Sequence, residues 1–436
     1  MKSQVKSQTS FYGWRLVAVF WFVLLADLQF PYVVGSIANA YMAWDLHLSR
    51  TTVGLAYAVF TWMSGLPGPL VAFIVDKRGV RFTLLLGSLF LLVGSIWMAQ
   101  FVHTGSEAIV AFGVVVGLGV ITGGQFAPMA GINRWFVKRR ARAIALIQTA
   151  PCIGGFIAPP VLIYIIESAH GNWRMAWWLM ALLAAIGALL IALFVIESPA
   201  DIGQVPDGGA GAADLLAETA SARRSGVFQT TQDWSVAETL RTPALWWILV
   251  SFIGYDGGFF LFSAQGVMLL RDLGRSPGGV ALSLSLVALF ATCGTLFVAA
   301  VGDHIEPRLI IAFSMVASGI GLVMVLKASS TTNLYLYPVF LGLSMGIGGT
   351  VVFALLANYY GNRPYAHVMG IKWIFTTTSG AIASYGGGYA FDHFGTYAPA
   401  FYACAILSIL GFVILLFVQP PVRKDTKPLV TATVGR

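Results

Sequence analysis

The chain has 436 residues, of which 58% are hydrophobic and only 10% are charged. These proportions exclude a soluble globular protein of this size, in which about a quarter of the residues carry a charge. The formal net charge is +8, but the basic residues are dispersed over short loops, which argues against nucleic acid as a partner. The sequence therefore predicts an integral membrane protein in contact with the lipid bilayer.

The first apolar stretch, residues 11–42, carries Asp27 near its middle. An ionised Asp at the centre of a bilayer costs about 2.5–3.5 kcal/mol, so such a residue usually faces a cavity or a partner. We therefore favour a functional role for Asp27. The alternative is a structural Asp that a neighbouring helix keeps protonated.

Twelve apolar spans follow one another in two sets of six, each near the roughly 20 residues that a membrane helix needs. The predicted fold is all-α, with twelve transmembrane helices in two pseudo-symmetric six-helix bundles. The spans cover residues 11–42, 51–75, 82–102, 108–135, 143–166, 173–196, 243–270, 280–301, 309–326, 334–360, 366–391 and 398–418. The three cysteines lie inside spans without CxxC spacing, so we expect no metal site, and we expect no cofactor.

A polar segment separates the two sets of spans. We divide the chain into an N-terminal bundle (residues 1–196), a cytoplasmic linker (197–242) and a C-terminal bundle with a cytoplasmic tail (243–436). Ser235 and Glu238 have the spacing of a capping box, which predicts a short helix just before Pro243.

The basic residues also predict the orientation. Of the 26 Lys and Arg residues, twenty fall on the side of the N-terminus, five fall on the other side, and Lys372 lies inside a span. Basic loops stay on the cytoplasmic side, so both termini should be cytoplasmic.

The two halves repeat each other. The segment from Asp76 to Arg81 is answered by the segment from Asp303 to Arg308, at an offset of 227, and Asp27 is answered by Asp256 at an offset of 229. Parallel six-helix repeats enclose a midplane cavity that two rocking halves open to either side.

These features resemble the major facilitator superfamily, whose loop pattern is Gly-x-x-x-Asp-Arg/Lys-x-Gly-x-Arg/Lys. The chain supplies Asp76, Lys77, Gly79 and Arg81, with Ala72 where the pattern has glycine. The resemblance implies a cytoplasmic gate at this loop and at its repeat, Asp303 and Arg308. The alternative is a basic turn that needs only a glycine at positive φ.

Three further segments, 11–15, 133–140 and 197–203, resemble the branch that contains oxalate:formate antiporters and monocarboxylate porters. This resemblance implies a secondary active transporter of a small organic anion, a mono- or dicarboxylate, in the cell (inner) membrane. Such carriers commonly hold the carboxylate with basic residues of spans eight and eleven. Span eleven has Lys372, but span eight has no charge.

Lys372 is the best candidate for anion binding. It follows Arg363 by nine residues, about 13 Å along a helix. The alternative is a lysine that extends back to the cytoplasmic interface. Inside a cavity, Lys372 would bind a carboxylate, or pair with Asp27 or Asp256 when the site is empty.

Asp27 and Asp256 are the candidates for proton coupling, because the six histidines lie near the ends of the spans. A buried carboxyl that changes sides with the cavity can load and release a proton. We therefore expect proton-coupled uptake by alternating access.

Other polar and aromatic residues inside the spans are candidates for substrate contact. Tyrosine and tryptophan suit an anion with an apolar body, although both also serve as ordinary packing residues. The candidates are Gln125, Gln148, Gln265, Tyr32, Tyr255 and Trp373.

Two other functions stay open. Residues 150–155 resemble the Gly-Pro-x-x-Gly-Gly element of exporters, so a drug or metabolite exporter with proton antiport is the alternative; the same residues also suit a kinked, closely packed helix. The second alternative function is that of a non-transporting sensor with the same fold. We expect no enzyme, because no HExxH, GxSxG or GxxxxGK[ST] pattern occurs. We expect the chain to function as a monomer.

Overall fold

The structure is a computed structural model. It describes residues 11–124, 126–136, 139–206, 228, 230, 232, 234–301, 304–361 and 364–421.

The N-half, which we define as the described residues up to 206, contains six long helices or broken helices. They are α1 (Gly13–Asp45), α2 (Arg50–Met63 and Gly68–Arg78), α3 (Val80–Gln100), α4 (Gly105–Trp135), α5 (Arg140–Ser168) and α6 (Arg174–Phe194).

Three of these helices are interrupted. In α2 the two segments meet at 42°, where Gly65 and Pro67 interrupt the helix. In α1 the turn Leu24–Gln29 is π-helical and contains Asp27, and α4 has a π-helical stretch and then a break at Gly124. The predicted spans 51–75 and 108–135 are therefore not single straight helices.

The C-half, which we define as the described residues from 228 onward, has six long helices. They are α7 (Pro243–Asp272), α8 (Pro277–Val301), α9 (Pro307–Leu326), α10 (Thr331–Tyr360), α11 (Tyr365–Phe394) and α12 (Ala398–Phe417).

Within the described residues, ten helices are long and apolar enough to cross a membrane, or eleven with the bent pair of α2. The remaining predicted span, 366–391, forms the 30-residue helix α11. Its Gly, Ser and Thr residues make α11 less apolar than the others.

Equivalent arginines tie equivalent helices together in the two halves. Arg81 at the start of α3 donates to the carbonyl oxygen of Ala192 in α6 at 2.5 Å. Arg308 at the start of α9 donates to the carbonyl oxygen of Val418, just after α12, also at 2.5 Å. The sequence repeat is thus also a structural repeat.

The halves contact each other closely at one end, which we call the closed end. There Arg50 of α2 lies 3.0 Å from Asp272 of α7. Asp392 of α11 accepts hydrogen bonds from the backbone N–H groups of Arg50 and Thr51, at 3.1 and 2.7 Å. A side chain of the C-half therefore caps the first turn of a helix of the N-half.

Backbone packing at the closed end is equally tight. A Cβ built on Gly388 of α11 would lie 2.1 Å from the carbonyl oxygen of Arg50, and one built on Gly54 of α2 would lie 2.4 Å from that of Ser384. Only glycine allows the two helices to approach this closely.

Each described end of the linker packs on its own half. Glu197 accepts hydrogen bonds from the backbone N–H groups of Val80 and Arg81 and pairs with Arg134 at 2.7 Å. On the other side, Trp234 packs against Tyr360, and a short helix covers Val236–Leu240 behind a capping box. The division into 1–196, 197–242 and 243–436 stays a prediction.

Candidate functional site

The centre of the C-half contains a buried ion pair. The Nζ atom of Lys372 lies 3.2 Å from Oδ2 and 3.4 Å from Oδ1 of Asp256. Thr376 donates a hydrogen bond of 2.7 Å to the same carboxylate, and the ammonium group lies 4.8 Å from the ring centre of Phe252. Both charged residues are only 6% exposed. Each charge is therefore compensated where water does not reach it freely.

Helical spacing builds this site. Lys372 and Thr376 are four residues apart on α11, and Phe252 and Asp256 are four residues apart on α7, so each pair shares one face of its helix. The two faces meet. Lys372 consequently points into the bundle and does not extend to the interface, and Asp256, not Asp27, is the carboxylate that pairs with it.

Asp27 lies in a different place, inside the N-half. It is fully buried, and its Oδ2 atom accepts a 2.6 Å hydrogen bond from Ser88 of α3, whereas Oδ1 has no partner. Glycines of two other helices leave room beside the carboxyl: a Cβ built on Gly123 would lie 3.0 Å from Oδ2, and one on Gly187 would lie 3.6 Å from Oδ1. The structure does not bring Asp27 into the Lys372–Asp256 site.

The other residues predicted to contact the substrate differ in their burial and in their hydrogen-bond partners. Trp373 and Gln148 are partly buried, and Nε1 of Trp373 and Oε1 of Gln148 have no hydrogen-bond partner. Tyr32 donates to the hydroxyl of Ser64 at 3.2 Å, beside the break in α2. The Trp373 and Gln148 atoms are thus buried without a protein partner, whereas the Tyr32 hydroxyl has one.

Two candidates already use their polar groups inside the protein. The hydroxyl of Tyr255 donates to the backbone oxygens of Ser344 and Met345 in α10. Gln265 donates through Nε2 to the carbonyl oxygen of Arg50 at 3.3 Å and so belongs to the closed end, while its Oε1 atom has no partner. Gln125 lies outside the described residues.

The predicted gate lies at the end opposite to the closed end. Asp76 and Lys77 are exposed, with the Lys77 ammonium 4.5 Å from the ring centre of Phe73. Gly79 has φ of +89°, as a tight turn requires. Arg81 and Arg308 each bond within their own half, as described above, and Asp303 lies outside the described residues.

Sequence reasoning missed several partners. Ser88 and Phe252 are ordinary residues in apolar spans, and only the packing of helices far apart in sequence shows that they contact Asp27 and Lys372. In the sequence, Arg50 is only one of the five basic residues on the side opposite to the N-terminus, and no pattern distinguishes Asp272. A signal existed for Asp392, because it is a carboxylate at the end of the helix that also carries Lys372.

The family model for the Major Facilitator Superfamily matches residues 19–268 and 247–434. The chain belongs to the major facilitator superfamily. Its relatives show that it is a transporter and not an enzyme, and that it resembles the monocarboxylate porter branch.

Similar proteins include Monocarboxylate transporter 13 of Bos taurus, 25% identical over 356 residues that cover 80% of this chain and 76% of the relative. Monocarboxylate transporter 4 of Rattus norvegicus is 21% identical over 93% of this chain and 83% of its own length. The uncharacterized MFS-type transporter YcxA of Bacillus subtilis (strain 168) is 21% identical over 93% of this chain and 97% of its own.

Among solved structures, a D-xylose-proton symporter superposes with a TM-score of 0.72 at 14% identity, covering 94% of this chain and 98% of the symporter. At this identity the likeness shows the fold alone.

Proposed function

We propose that this transporter moves a small organic anion, a mono- or dicarboxylate, into the cell together with protons. The observation that carries the proposal is the buried Lys372–Asp256 pair, because an ammonium group at this depth needs a negative partner. The likeness to monocarboxylate transporters supports a carboxylate as substrate.

The geometry suggests how substrate and ion pair are linked. An ammonium group has three N–H donors, so a substrate carboxylate can replace Asp256 at Lys372. When Asp256 takes up a proton, its attraction for Lys372 falls, and Lys372 becomes available to the substrate. Trp373 and Gln148, with their unpartnered polar atoms, are the first candidates for contacts to the remainder of the substrate.

Asp27 is the second proposed proton site. It is buried with one bonded oxygen, and it lies on a π-helical turn, a feature frequent at functional sites. It shares no contact with the Lys372 site, so its protonation would act on the packing of the N-half and not on the substrate directly.

Transport by alternating access requires the closed end to open. With the basic loops on the cytoplasmic side, the closed end faces outward and the structure is closed to the outside. In the opposite conformation, the gate at Asp76, Lys77, Gly79 and Arg81 would join its repeat at Asp303 and Arg308. The proposed location is the cell (inner) membrane, with both termini cytoplasmic and the monomer as the working unit.

Thermal stabilisation identifies the substrate class. Purified protein is heated with a panel of small mono- and dicarboxylates, since a ligand at one hundred times its Kd adds about 2.7 kcal/mol to the native state. We expect at least one carboxylate to stabilise the wild type and Lys327→Met, which changes an exposed lysine, but not Lys372→Met. Equal stabilisation of all three proteins would contradict the role of Lys372.

Flux in vesicles then separates the alternatives. Uptake with an inward proton gradient supports symport. Expulsion of the substrate in exchange for entering protons would identify an exporter. Binding of the substrate without flux would identify a sensor.

A further inference from the structure

The carbonyl oxygen of Phe156 in α5 lacks its usual helical partners. In an α-helix this oxygen accepts a hydrogen bond from the backbone N–H four residues on, and in a tighter turn from the N–H three residues on. Those two residues are Pro160 and Pro159, and proline has no N–H to donate. A backbone carbonyl group within the membrane is costly without a partner, so the Phe156 oxygen needs a donor from outside its own helix.

The donor comes from the other half of the protein. The hydroxyl of Ser285 in α8 donates to the Phe156 oxygen at 2.7 Å, and Ser285 is only 3% exposed. Beside this bond the two helices approach closely, because a Cβ built on Gly155 would lie 3.0 Å from the Cβ of Ala288. The hydrogen bond therefore crosses the contact between the N-half and the C-half.

The direction of the Ser285 hydroxyl is unusual for its helix. Serine side chains in helices commonly donate to a carbonyl oxygen one turn back in the same helix. Ser283, two residues earlier on α8, does so with Val280 at 2.9 Å. A hydroxyl has one hydrogen to donate, and Ser285 directs it to the carbonyl group that the two prolines deprive of a helical donor.

The repeat provides an internal comparison. The counterparts of α5 and α8 are α11 and α2, which also meet across the two halves. No proline occurs in α11, so its interior carbonyl groups keep a residue with an N–H four positions on. At the offset of 227, the counterpart of Ser285 is Ala58, which has no hydroxyl. The serine hydroxyl thus occurs where prolines remove the helical donor and is absent where they do not.

The bond lies between the closed end and a residue predicted to contact the substrate. Ser285 is eight residues, about 12 Å, from Pro277 at the start of α8, which is at the closed end. On α5, Gln148 lies eight residues, about 12 Å, from Phe156 in the opposite direction. When the halves rock apart at the closed end, α5 and α8 separate and the carbonyl group loses its donor.

We propose that the Ser285 hydroxyl and the Phe156 carbonyl group form a latch between the halves, and that Ser285 is a positioning residue for the transport cycle. Opening exchanges the bond for bonds to water, whereas loss of the hydroxyl leaves the carbonyl group unpartnered in the closed conformation alone. The latch therefore favours the closed conformation at this end. The inference rests on the proposed function, since it needs alternating access, but it does not depend on the identity of the substrate.

The test measures the ratio of open to closed molecules in vesicles containing the full chain. Spin labels are attached to His103→Cys and Thr332→Cys, which replace exposed residues of the two halves near the closed end. Opening increases the distance between the labels. The native Cys152, Cys293 and Cys404 are first replaced by alanine, and the ratio is measured at a pH at which the wild type populates both distances.

We expect Ser285→Ala to raise the open-to-closed ratio about ten-fold, which corresponds to about 1.4 kcal/mol. In the Pro160→Ala background, the new alanine restores an N–H to the Phe156 oxygen, so Ser285→Ala should there change the ratio less than two-fold. The matched control is Ser283→Ala, which removes a buried hydroxyl that bonds Tyr337 within the C-half. This control should stay within two-fold of the wild-type ratio.

A ratio within two-fold of wild type in Ser285→Ala would overturn the latch and leave the proposed function intact. An equal rise in Ser283→Ala would also overturn the latch, because the effect would then come from packing within the C-half. A ten-fold effect of Ser285→Ala that persists in the Pro160→Ala background would overturn it too, since the missing helical donor would not be the cause. If the wild type shows no longer distance at any pH or with any carboxylate of the panel, alternating access fails, and the proposed function fails together with the latch.

Discussion

The ion pair between Lys372 and Asp256 allows a quantitative prediction. At the observed separation of 3.2 Å and an effective dielectric constant of about 20, two unit charges attract each other by about 5 kcal/mol. Desolvation of both groups offsets part of this attraction. Removing one partner leaves the other charge buried and alone, which costs about 3–5 kcal/mol.

We therefore expect Lys372→Met and Asp256→Leu each to lower the free energy of unfolding by about 3–5 kcal/mol. The double variant should lose less than either single variant, because it leaves no unpaired charge. Unfolding in detergent, followed by circular dichroism at increasing SDS, measures the four proteins of this cycle. The pair of Asp256→Leu with Lys327→Met serves as control and should be additive. Additive losses in the Lys372 cycle, or single losses below about 1 kcal/mol, would refute a buried, energetically coupled pair.

Three other predictions concern the closed end and the coupling site. Gly388→Ala should hold the closed end open and stop transport, because its Cβ would lie 2.1 Å from a backbone oxygen. The control Gly386→Ala, whose Cβ would have nothing within 4 Å, should transport normally. Both variants are checked by transport and by the labelling, with an impermeant reagent, of a cysteine placed at position 265. Asp392→Ala should remove the hydrogen bonds from the first turn of α2 to α11 and destabilise the closed conformation by about 0.5–2 kcal/mol, seen as faster labelling of that cysteine. Unchanged labelling would contradict this prediction. Asp27→Asn should keep substrate exchange but lose accumulation against a gradient, and retained proton-driven accumulation would remove Asp27 as a coupling site.

Part of this architecture follows from the sequence because lipid imposes strong rules. The apolar runs predict the helices, their number in two sets of six and the internal repeat. They do so because a bilayer tolerates charged residues only where these face a cavity or a partner. The same rule singled out Asp27, Asp256 and Lys372 as residues that need partners.

The sequence does not predict which residue contacts each buried carboxylate. Asp27 and Asp256 occupy equivalent positions of the repeat, yet one contacts Ser88 and the other contacts Lys372. The difference depends on side chains that reach each carboxyl from other helices, 61 and 116 residues away in sequence. Hydropathy and repeat offsets do not contain that information.

The interruptions in helices were also missed. Apolarity is continuous through Gly65 and Gly124, so the spans looked uniform. The breaks arise from local backbone chemistry and from packing of neighbouring helices, and they lie beside Tyr32 and Asp27 respectively. Closed-end contacts such as Asp392 with Thr51 join residues 341 positions apart and depend on the conformation of the whole transporter.

The most direct test of the central claim is accumulation of a labelled carboxylate in vesicles under an inward proton gradient, with Lys372→Met beside Lys327→Met. The account predicts concentrative uptake by the wild type and by Lys327→Met, collapse of that uptake when the proton gradient is dissipated, and none by Lys372→Met. Concentrative uptake by Lys372→Met at the wild-type rate would contradict it.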